Sequence, residues 1–283
     1  MKIGIVTDST ADMPVEFYER HNVAMAPLVV RFGEEIYKDW VDLVPDEFYK
    51  KMRSSDALPK TSQPSAGDFA AVYERLARDG CERIISIHIS SKLSGTIQSA
   101  RTACLMFKDV PVTLIDSELT AIVLGRIVEE LAKARDAGAS FEEIVSLAES
   151  YRRSGRILFV VDTLKYLELG GRIGKAQALL GSLLSVKPIL HLEEGIVAPR
   201  AKVQGAKKAK RELITLVKEE IEAREDKKKV KLMIAYTDNP EMVIELKNLI
   251  DEAGIKYEDL RTGQIGAVIG TYVGPGTYAI GIL

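Results

Sequence analysis

Cysteine and histidine are scarce in this chain, which limits the chemistry that it can perform. Of its 283 residues only Cys81 and Cys104 are cysteines, too few for a disulfide framework and not spaced as the C-x-x-C motif of metal or redox sites. The three histidines, at positions 21, 88 and 191, lie far apart, so no two have the helical spacing of metal ligands. We therefore predict no metal site.

Motifs for nucleotide binding and segments for membrane insertion are also missing. The chain has neither G-x-G-x-x-G nor G-x-x-x-x-G-K-[ST], so no nucleotide cofactor is predicted. No run approaches the roughly 18 apolar residues that cross a bilayer. Asp8 lies where a signal peptide needs an apolar core. We expect a cytoplasmic protein without an integral membrane segment.

An excess of positive charge is absent as well. The chain has 39 basic and 41 acidic residues, whereas proteins that bind nucleic acid usually have a basic excess, so nucleic acid is not expected as a partner. The basic stretch at residues 200–211 is followed by acidic residues and is typical of a solvated helix face. A docking surface for an acidic or anionic partner is the other interpretation of this stretch.

Short apolar runs alternate with helical patterns along the chain, as in α/β proteins with a mostly parallel sheet. A hydrophobic fraction of 46% over 283 residues is enough for one large or two moderate domains. We predict an N-terminal α/β domain over residues 1–160, with a mostly parallel sheet and hydroxyl-rich loops. A second α/β domain is predicted over residues 161–283, where the pattern changes.

The apolar periodicity assigns the individual segments, and in residues 83–90 it places Ile85, Ile87 and Ile89 on one face of a strand. Ser65 with Asp68 is predicted to start a helix. Predicted strands are residues 2–7, 23–32, 83–90, 110–115, 157–161, 188–192, 230–236, 256–260 and 268–272. Predicted helices are residues 45–54, 65–78, 96–107, 118–137 and 206–224, one from Ser140 with Glu143 as a capping box, one after Gly171 through residue 184, and one from Pro240. Residues 55–63 are predicted to be a loop, and residues 225–229 an exposed turn.

Hydroxyl side chains are concentrated at the turns between strands and helices. They occur at residues 7–12, 61–65, 90–96 and 116–117. In a parallel sheet such turns gather at the carboxyl edge, where ligands bind, and hydroxyls beside helix N-termini favour an anion. The alternative is that these residues only cap helices and form turns.

One pair of residues could support catalysis by the chain alone. His88 lies six residues before Ser94 and could act as its base in an esterase or acyltransferase. The G-x-S-x-G elbow of such enzymes is absent. A strand histidine that bonds to a neighbouring side chain is the other interpretation of His88, and we predict no catalytic residue.

Six motifs, taken in order, resemble those of the DegV family over residues 3–283. They are Asp8-Ser9-Thr10-Ala11-Asp12, residues 61–65 (Thr-Ser-Gln-Pro-Ser), residues 90–100, residues 164–172 with Gly170-Gly171-Arg172, Lys187-Pro188, and residues 266–276. The resemblance implies a two-domain α/β protein that binds a long-chain fatty acid such as palmitate between its domains. The fatty acid is then a ligand, and no cofactor is implied.

The resemblance also implies roles for particular residues. The hydroxyls of Thr61 or Ser62 and of Ser94 are expected to bind the carboxylate, with Arg172 nearby as a cation. Tyr272 stands where the family motif usually has a histidine, and tyrosine can hydrogen-bond but cannot be positively charged near neutral pH. Some family members are the B subunit of bacterial fatty acid kinase and present the carboxylate to a separate ATP-binding subunit, so such a partner is implied here.

Overall fold

The computed structural model of the chain describes residues 1–55, 57–181, 186–225 and 229–283. Residues 226–228 of the predicted turn and residues 182–184 of the helix predicted after Gly171 lie outside this described part. Within it, the chain is an α/β protein with three sheets, thirteen strands and ten α-helices. None of the described helices combines the length and the apolar composition that crossing a bilayer requires.

Strands and helices alternate along much of the chain. The strands are β1 (Ile3–Asp8), β2 (Val23–Ala26), β3 (Val29–Phe32), β4 (Glu35–Lys38), β5 (Lys60–Ser62), β6 (Arg83–His88), β7 (Val112–Asp116), β8 (Arg156–Val160), β9 (Val186–Glu193), β10 (Ile196–Gln204), β11 (Lys231–Tyr236), β12 (Asp259–Gln264) and β13 (Tyr278–Ile282). The α-helices are α1 (Val15–Arg20), α2 (Pro45–Ser54), α3 (Ala66–Arg78), α4 (Thr96–Met106), α5 (Ala121–Asp136), α6 (Phe141–Ser154), α7 (Lys165–Leu169), α8 (Ala206–Glu222), α9 (Glu241–Glu252) and α10 (Ala267–Val273). Short 3₁₀ helices cover Ser9–Ala11 and Gly174–Leu179.

The first sheet is the parallel sheet that the sequence predicts. Its four strands are all parallel, in the order β2-β1-β6-β7. Ile85, Ile87 and Ile89 belong to the core that includes α5, as their alternation predicts. Val6 and Ile84 face the opposite core, which is formed with α3 and α4. Both faces of the sheet are buried, as is usual for parallel strands.

The second sheet packs against α5 on the side opposite the first sheet. Its six strands run in the order β10-β9-β8-β13-β11-β12, and in this sheet only β11 and β12 are parallel neighbours. Helices α8 and α9 cover its outer face, and α5 covers its inner face. Gly281 permits this close packing, because a Cβ there would lie 2.5 Å from the Val123 side chain of α5. Strand β8 ends at the predicted domain boundary near residue 160, which stays a prediction.

A small third sheet supports the region between the two large ones. Its antiparallel strands lie in the order β4-β3-β5, with α2 and α10 packed against it. Thr61 of β5 pairs with Val30 of β3. The third sheet therefore places one of the predicted hydroxyl-rich turns beside α10.

Near the end of the chain one prediction was wrong and one strand was missed. Residues 268–272, predicted as a strand, lie in α10, and β13 was not predicted. A short apolar run fits a buried helix as well as a buried strand, so periodicity alone could not distinguish them. Here the N–H groups of Gly266 and Ala267 donate to the carboxylates of Asp12 and Asp39, which fixes the start of a helix.

Other predicted segments differ in extent. Residues 23–32 form two strands in different sheets, separated at Pro27, which has no N–H group to continue a ladder. The predicted loop at 55–63 contains β5, the predicted strand at 256–260 is displaced to β12, and β10 was not predicted. The helix starts at Ser65 and Ser140 are confirmed as capping boxes with Asp68 and Glu143.

The two carboxyls that start α10 are deeply buried. Burial raises the pKa of Asp39 from its ordinary 3.8 to about 7, and it raises the pKa of Asp12 well above the ordinary value, helped by the nearby Asp39. Asp12 Oδ1 accepts from Gly266 N at 3.0 Å, and Asp39 Oδ1 accepts from Ala267 N at 3.1 Å. Helix α10 is thus attached to the N-terminal part of the chain by acids that resist ionisation.

This raised pKa predicts a pH dependence of stability. As the pH rises from about 4 to about 7, Asp39 ionises in the unfolded chain but not in the folded one, so the free energy of unfolding should fall. The difference between the ordinary pKa of Asp39 and its pKa in the folded protein corresponds to ~4 kcal/mol of lost stability. Asp39→Asn cannot ionise, so it should resist urea better than the wild type at pH 8, and the difference should shrink toward pH 4.

The control is Asp109→Asn, which removes an exposed carboxylate and should show no such pH-dependent difference. Urea midpoints of the three proteins from pH 4 to pH 8 provide the measurement. An Asp39→Asn variant that is less stable than the wild type at pH 8 would show that the ionised carboxylate stabilises α10.

Candidate functional site

A mostly apolar cavity lies where the carboxyl edge of the first sheet meets the second sheet and α10. It encloses about 840 Å³ of space free of protein atoms, part of it open to solvent. Ile89 contributes from the first sheet, Ile157 and Phe159 from β8, and Val268 and Ile269 from α10. An apolar lining with a few polar side chains is typical of sites that bury a small ligand.

The polar side chains of the cavity include a group at one end. Thr61, Ser94, Arg172 and Tyr272 all line it. Thr61, Arg172 and Tyr272 also line a depression on the outside of the protein, whose rim includes the exposed Leu169. We call Thr61, Ser94, Arg172 and Tyr272 the mouth residues, because all four line the cavity and three of them also line this depression.

Ser94 is positioned by the turn that follows β6. Its N–H donates to Ser90 O at 3.1 Å, and its hydroxyl forms a 2.8 Å hydrogen bond with the buried hydroxyl of Thr96. Gly95 lies against Gln63, since a Cβ at position 95 would be 2.6 Å from Gln63 Nε2. The turn after β6 and the segment after β5 are thereby held together at the cavity.

Thr61 and Ser62 are separated by the alternation of strand β5. Thr61 faces the cavity, and its hydroxyl forms a 2.5 Å hydrogen bond with the Tyr272 hydroxyl. Ser62 is exposed and does not line the cavity. Of the carboxylate-binding residues implied by the resemblance, the structure brings Thr61 and Ser94 to one cavity and leaves Ser62 outside it.

The two hydroxyl pairs can each serve an external acceptor. Thr61 pairs with Tyr272, and Ser94 pairs with Thr96. Each pair has two hydroxyl protons and uses only one in its internal hydrogen bond, so one proton per pair stays available. A carboxylate has two oxygens that need such donors. The geometry therefore fits a carboxylate without requiring a fully buried ion pair.

Arg172 brings a positive charge to the mouth residues. Its Nε donates to Leu93 O at 3.1 Å and its Nη1 donates to Gly170 O at 2.7 Å, and the guanidinium lies 4.9 Å from the centre of the Tyr272 ring. Within the described residues no carboxylate forms an ion pair with it. Because carbonyls and a ring orient the guanidinium without neutralising it, its charge is available to an anion.

Gly170 permits the contact between Arg172 and Tyr272. A Cβ at position 170 would lie 2.3 Å from Tyr272 Cδ1, so no other residue fits without displacing the ring. The next residue, Gly171, lies two residues beyond the end of α7 and has a φ of +69°, a conformation that favours glycine. Gly170 is therefore required by the close approach of the Tyr272 ring, and Gly171 is favoured by its left-handed backbone conformation.

His88 is not brought to Ser94. Its Nδ1 lies 2.9 Å from Asp8 Oδ2 and its Nε2 lies 2.6 Å from Ser86 Oγ, and all three side chains are fully buried. The Ser86 hydroxyl in turn bonds with Tyr73 at 3.0 Å. The sequence of hydrogen bonds from Asp8 through His88 to Ser86 resembles a catalytic triad, but its full burial keeps substrates away from it. The hydroxyl-rich turn at residues 7–12 thus contributes to this buried network and does not line the cavity.

The partnership of Asp8 and His88 was not inferred from the sequence, although the signal was present. In the parallel register Ile5 pairs with Ile85 and Val6 with Ser86, so Asp8 and His88 follow at the same offset. Gln63 and Thr120 also line the cavity and were not singled out. Gln63 lies inside the motif at residues 61–65, whereas no sequence motif marks Thr120.

Comparisons with known proteins agree with this architecture. A family model described as "Uncharacterised protein, DegV family" matches residues 2–283. The chain is 38% identical to Protein DegV of Bacillus subtilis over 283 residues, covering 99% of this chain and 98% of the relative.

Solved structures of relatives have the same fold. A DegV family protein from Thermus thermophilus, described by its fatty acid binding, matches with a TM-score of 0.93 and 38% identity, over 100% of this chain and 99% of that chain. A stearic acid-binding protein from Eubacterium ventriosum matches with a TM-score of 0.90 and 27% identity, over 100% of this chain and 98% of that chain. Because sequence and fold both match over essentially the whole length, the chain belongs to the DegV family.

Proposed function

We propose that this protein binds one long-chain fatty acid, such as palmitate, with the carboxylate at the mouth residues and the acyl chain in the cavity. The observation that supports this most is the polarity of the cavity. Apolar walls lead outward to two hydroxyl pairs and to Arg172, a cation without a carboxylate partner among the described residues. The relatives described as binding fatty acids, one of them stearic acid, support the same ligand class.

The acyl chain dominates the affinity in this proposal. Burying about fourteen methylenes at ~0.8 kcal/mol each stabilises the complex by roughly 11 kcal/mol before the costs of association. The mouth residues then need only to orient the carboxylate and to satisfy its oxygens. Chain length should accordingly affect affinity more than any one change at the mouth.

The position of the carboxylate supports a carrier role. Thr61, Arg172 and Tyr272 line both the cavity and the outer depression, so a carboxylate between them lies close to the surface. We infer that a separate ATP-binding subunit of a fatty acid kinase converts it there to an acyl phosphate, a step of cytoplasmic lipid metabolism. The chain has no phosphate-loop motif of its own and acts as the non-catalytic subunit.

The first prediction of the proposed function concerns the hydroxyl of Ser94. Losing one neutral donor to a charged acceptor costs about 1.5–3 kcal/mol. Ser94→Ala should therefore weaken palmitate binding by roughly ten- to a hundredfold. Ser62→Ala is the matched control, because this serine lies in another hydroxyl-rich segment but is exposed and outside the cavity. The affinities of both folded variants for palmitate are measured by calorimetric or fluorescence titration.

Equal palmitate affinities for Ser94→Ala and the wild type would remove Ser94 from the site. A loss in Ser62→Ala as large as that in Ser94→Ala would mean that the carboxylate binds on the outer side of β5. Neither titration depends on a partner protein.

The second prediction separates binding from transfer at Arg172. The half-buried guanidinium should contribute less than about tenfold to palmitate affinity, because solvent screens its charge and the buried chain supplies most of the binding free energy. Acyl phosphate formation with the ATP-binding subunit should fall at least a hundredfold in Arg172→Ala, since a cation stabilises charge that develops at a phosphoryl group. Arg172→Lys should be intermediate, because it keeps the charge without the planar fork.

Lys175→Ala is the control for this experiment, since Lys175 is exposed on the same segment and pairs with Glu193. It should match the wild type in both measurements. Equal losses of affinity and turnover in Arg172→Ala would make Arg172 a lipid-binding or structural residue. Acyl phosphate formed from ATP and palmitate by the purified chain alone would contradict the carrier role.

A further inference from the structure

Besides the mouth residues, the cavity lining contains one buried polar atom that has no partner within the described residues. The Thr120 side chain is only 8% exposed and lines the cavity, and its hydroxyl makes no hydrogen bond within the described residues. By contrast, the hydroxyl of Thr277, which lines the same cavity, donates to Val273 O at 3.0 Å. A buried hydroxyl without a partner is unfavourable unless a ligand or a water molecule forms a hydrogen bond with it.

Thr120 is also the residue that precedes helix α5, and it does not cap it. Its side chain accepts no hydrogen bond from the first turn of this 16-residue helix. Among the described residues, no acceptor binds the N–H groups of Ala121, Ile122 or Val123. Such first-turn N–H groups point out of the helix end and attract an oxygen atom. Thr120 and Ala121 both line the cavity, so this helix end opens toward it.

The first residue of α5 has an uncommon backbone conformation. Ala121 has a φ of +55°, a value that residues other than glycine rarely adopt. Ala121 directly follows the residue with the unpartnered hydroxyl, and it is the first-turn residue of α5 that lines the cavity.

This second polar position is distinct from the mouth. Thr120 does not line the outer depression, whereas three of the mouth residues do. Arg172 is the only charged side chain that lines the cavity within the described residues, and it belongs to the mouth. The inner position therefore offers a hydroxyl and free N–H groups in apolar surroundings, without a counter-charge. That chemistry suits a neutral oxygen better than a second carboxylate, which would be buried without a cation.

We propose that Thr120 and the first turn of α5 bind a hydroxyl group on the acyl chain, so that the ligands of this protein include hydroxylated long-chain fatty acids. A ligand hydroxyl can donate to Thr120 Oγ1 and accept from an N–H group of the first turn, which satisfies both partners. The inference rests on the proposed fatty acid function and makes it more specific. It assigns the carboxylate to the mouth residues and the acyl hydroxyl to the inner position.

The experiment compares stearate with a series of monohydroxystearates whose hydroxyl is placed at different carbons from C2 to C18. Binding of each to wild-type protein and to Thr120→Val is measured by competition with one fluorescent fatty acid. In the wild type, one isomer or a few adjacent isomers should bind about tenfold more tightly than the others. Thr120→Val, which has a similar shape without the hydroxyl, should lose this preference and bind stearate at least as well as the wild type.

Two further variants make the comparison specific. Thr120→Ser keeps the hydroxyl and should keep the isomer preference, which separates the hydrogen bond from the shape of the side chain. Thr277→Val removes a hydroxyl of the same cavity that already has a partner, and it should leave the ranking of the isomers unchanged. If Thr120→Val does not fold, Thr120→Ala provides the same test with a smaller side chain.

The outcomes separate this inference from the proposed function. Stearate binding without a preferred isomer, or a preference that survives in Thr120→Val, would overturn the inference and leave the fatty acid function intact. A water molecule as the partner of Thr120 would give that result. Failure of the wild type to bind stearate or any isomer would overturn the proposed function itself. Loss of stearate affinity in Thr120→Val equal to the loss for the hydroxylated acids would place the carboxylate at α5.

Discussion

The packing of helix α5 between the two large sheets is the constraint on which the rest of the structure depends. Its residues Leu124, Ile127 and Val128 are completely buried in one continuous core that both sheets share. Because α5 fills the space between the sheets along its own length, the space beyond its first residue stays open. The cavity occupies that space, and Thr120 and Ala121 form part of its wall. The cavity therefore lies where the helical layer ends.

The polar groups of the site are arranged by their distance from solvent. The outer end has a charged residue, Arg172, and two hydroxyl pairs, whereas the inner position at Thr120 is neutral. Helix α10 contributes Tyr272 to the mouth, and its first residues are attached to the buried acids Asp12 and Asp39. Since the pKa of both acids is raised by burial, this attachment relies on hydrogen bonds in a dry environment. Tyr272 is thus carried by a helix whose first residues are anchored by acids that do not line the cavity.

Much of this fold could be predicted from the sequence where local patterns and packing agree. The alternation of Ile85, Ile87 and Ile89 and the two capping boxes are confirmed. Residues 268–272 were predicted wrongly, because their apolar run satisfies a helix and a strand equally and the deciding acids are distant in sequence. The sequence left Thr61 and Ser62 as alternatives, and only the pairing of β5 shows which side chain faces inward. Thr120 matters through an unpartnered atom, which no sequence pattern records.

The central claim is that one fatty acid occupies the space at the end of α5. Native mass spectrometry of protein purified without added lipid tests it most directly, with a second spectrum taken after denaturation. We expect a complex whose excess mass equals one long-chain fatty acid per chain and disappears on denaturation, with the free acid recovered in the extract. A chain that is free of lipid and does not gain this mass when palmitate is added would rule out the proposed fatty acid binding.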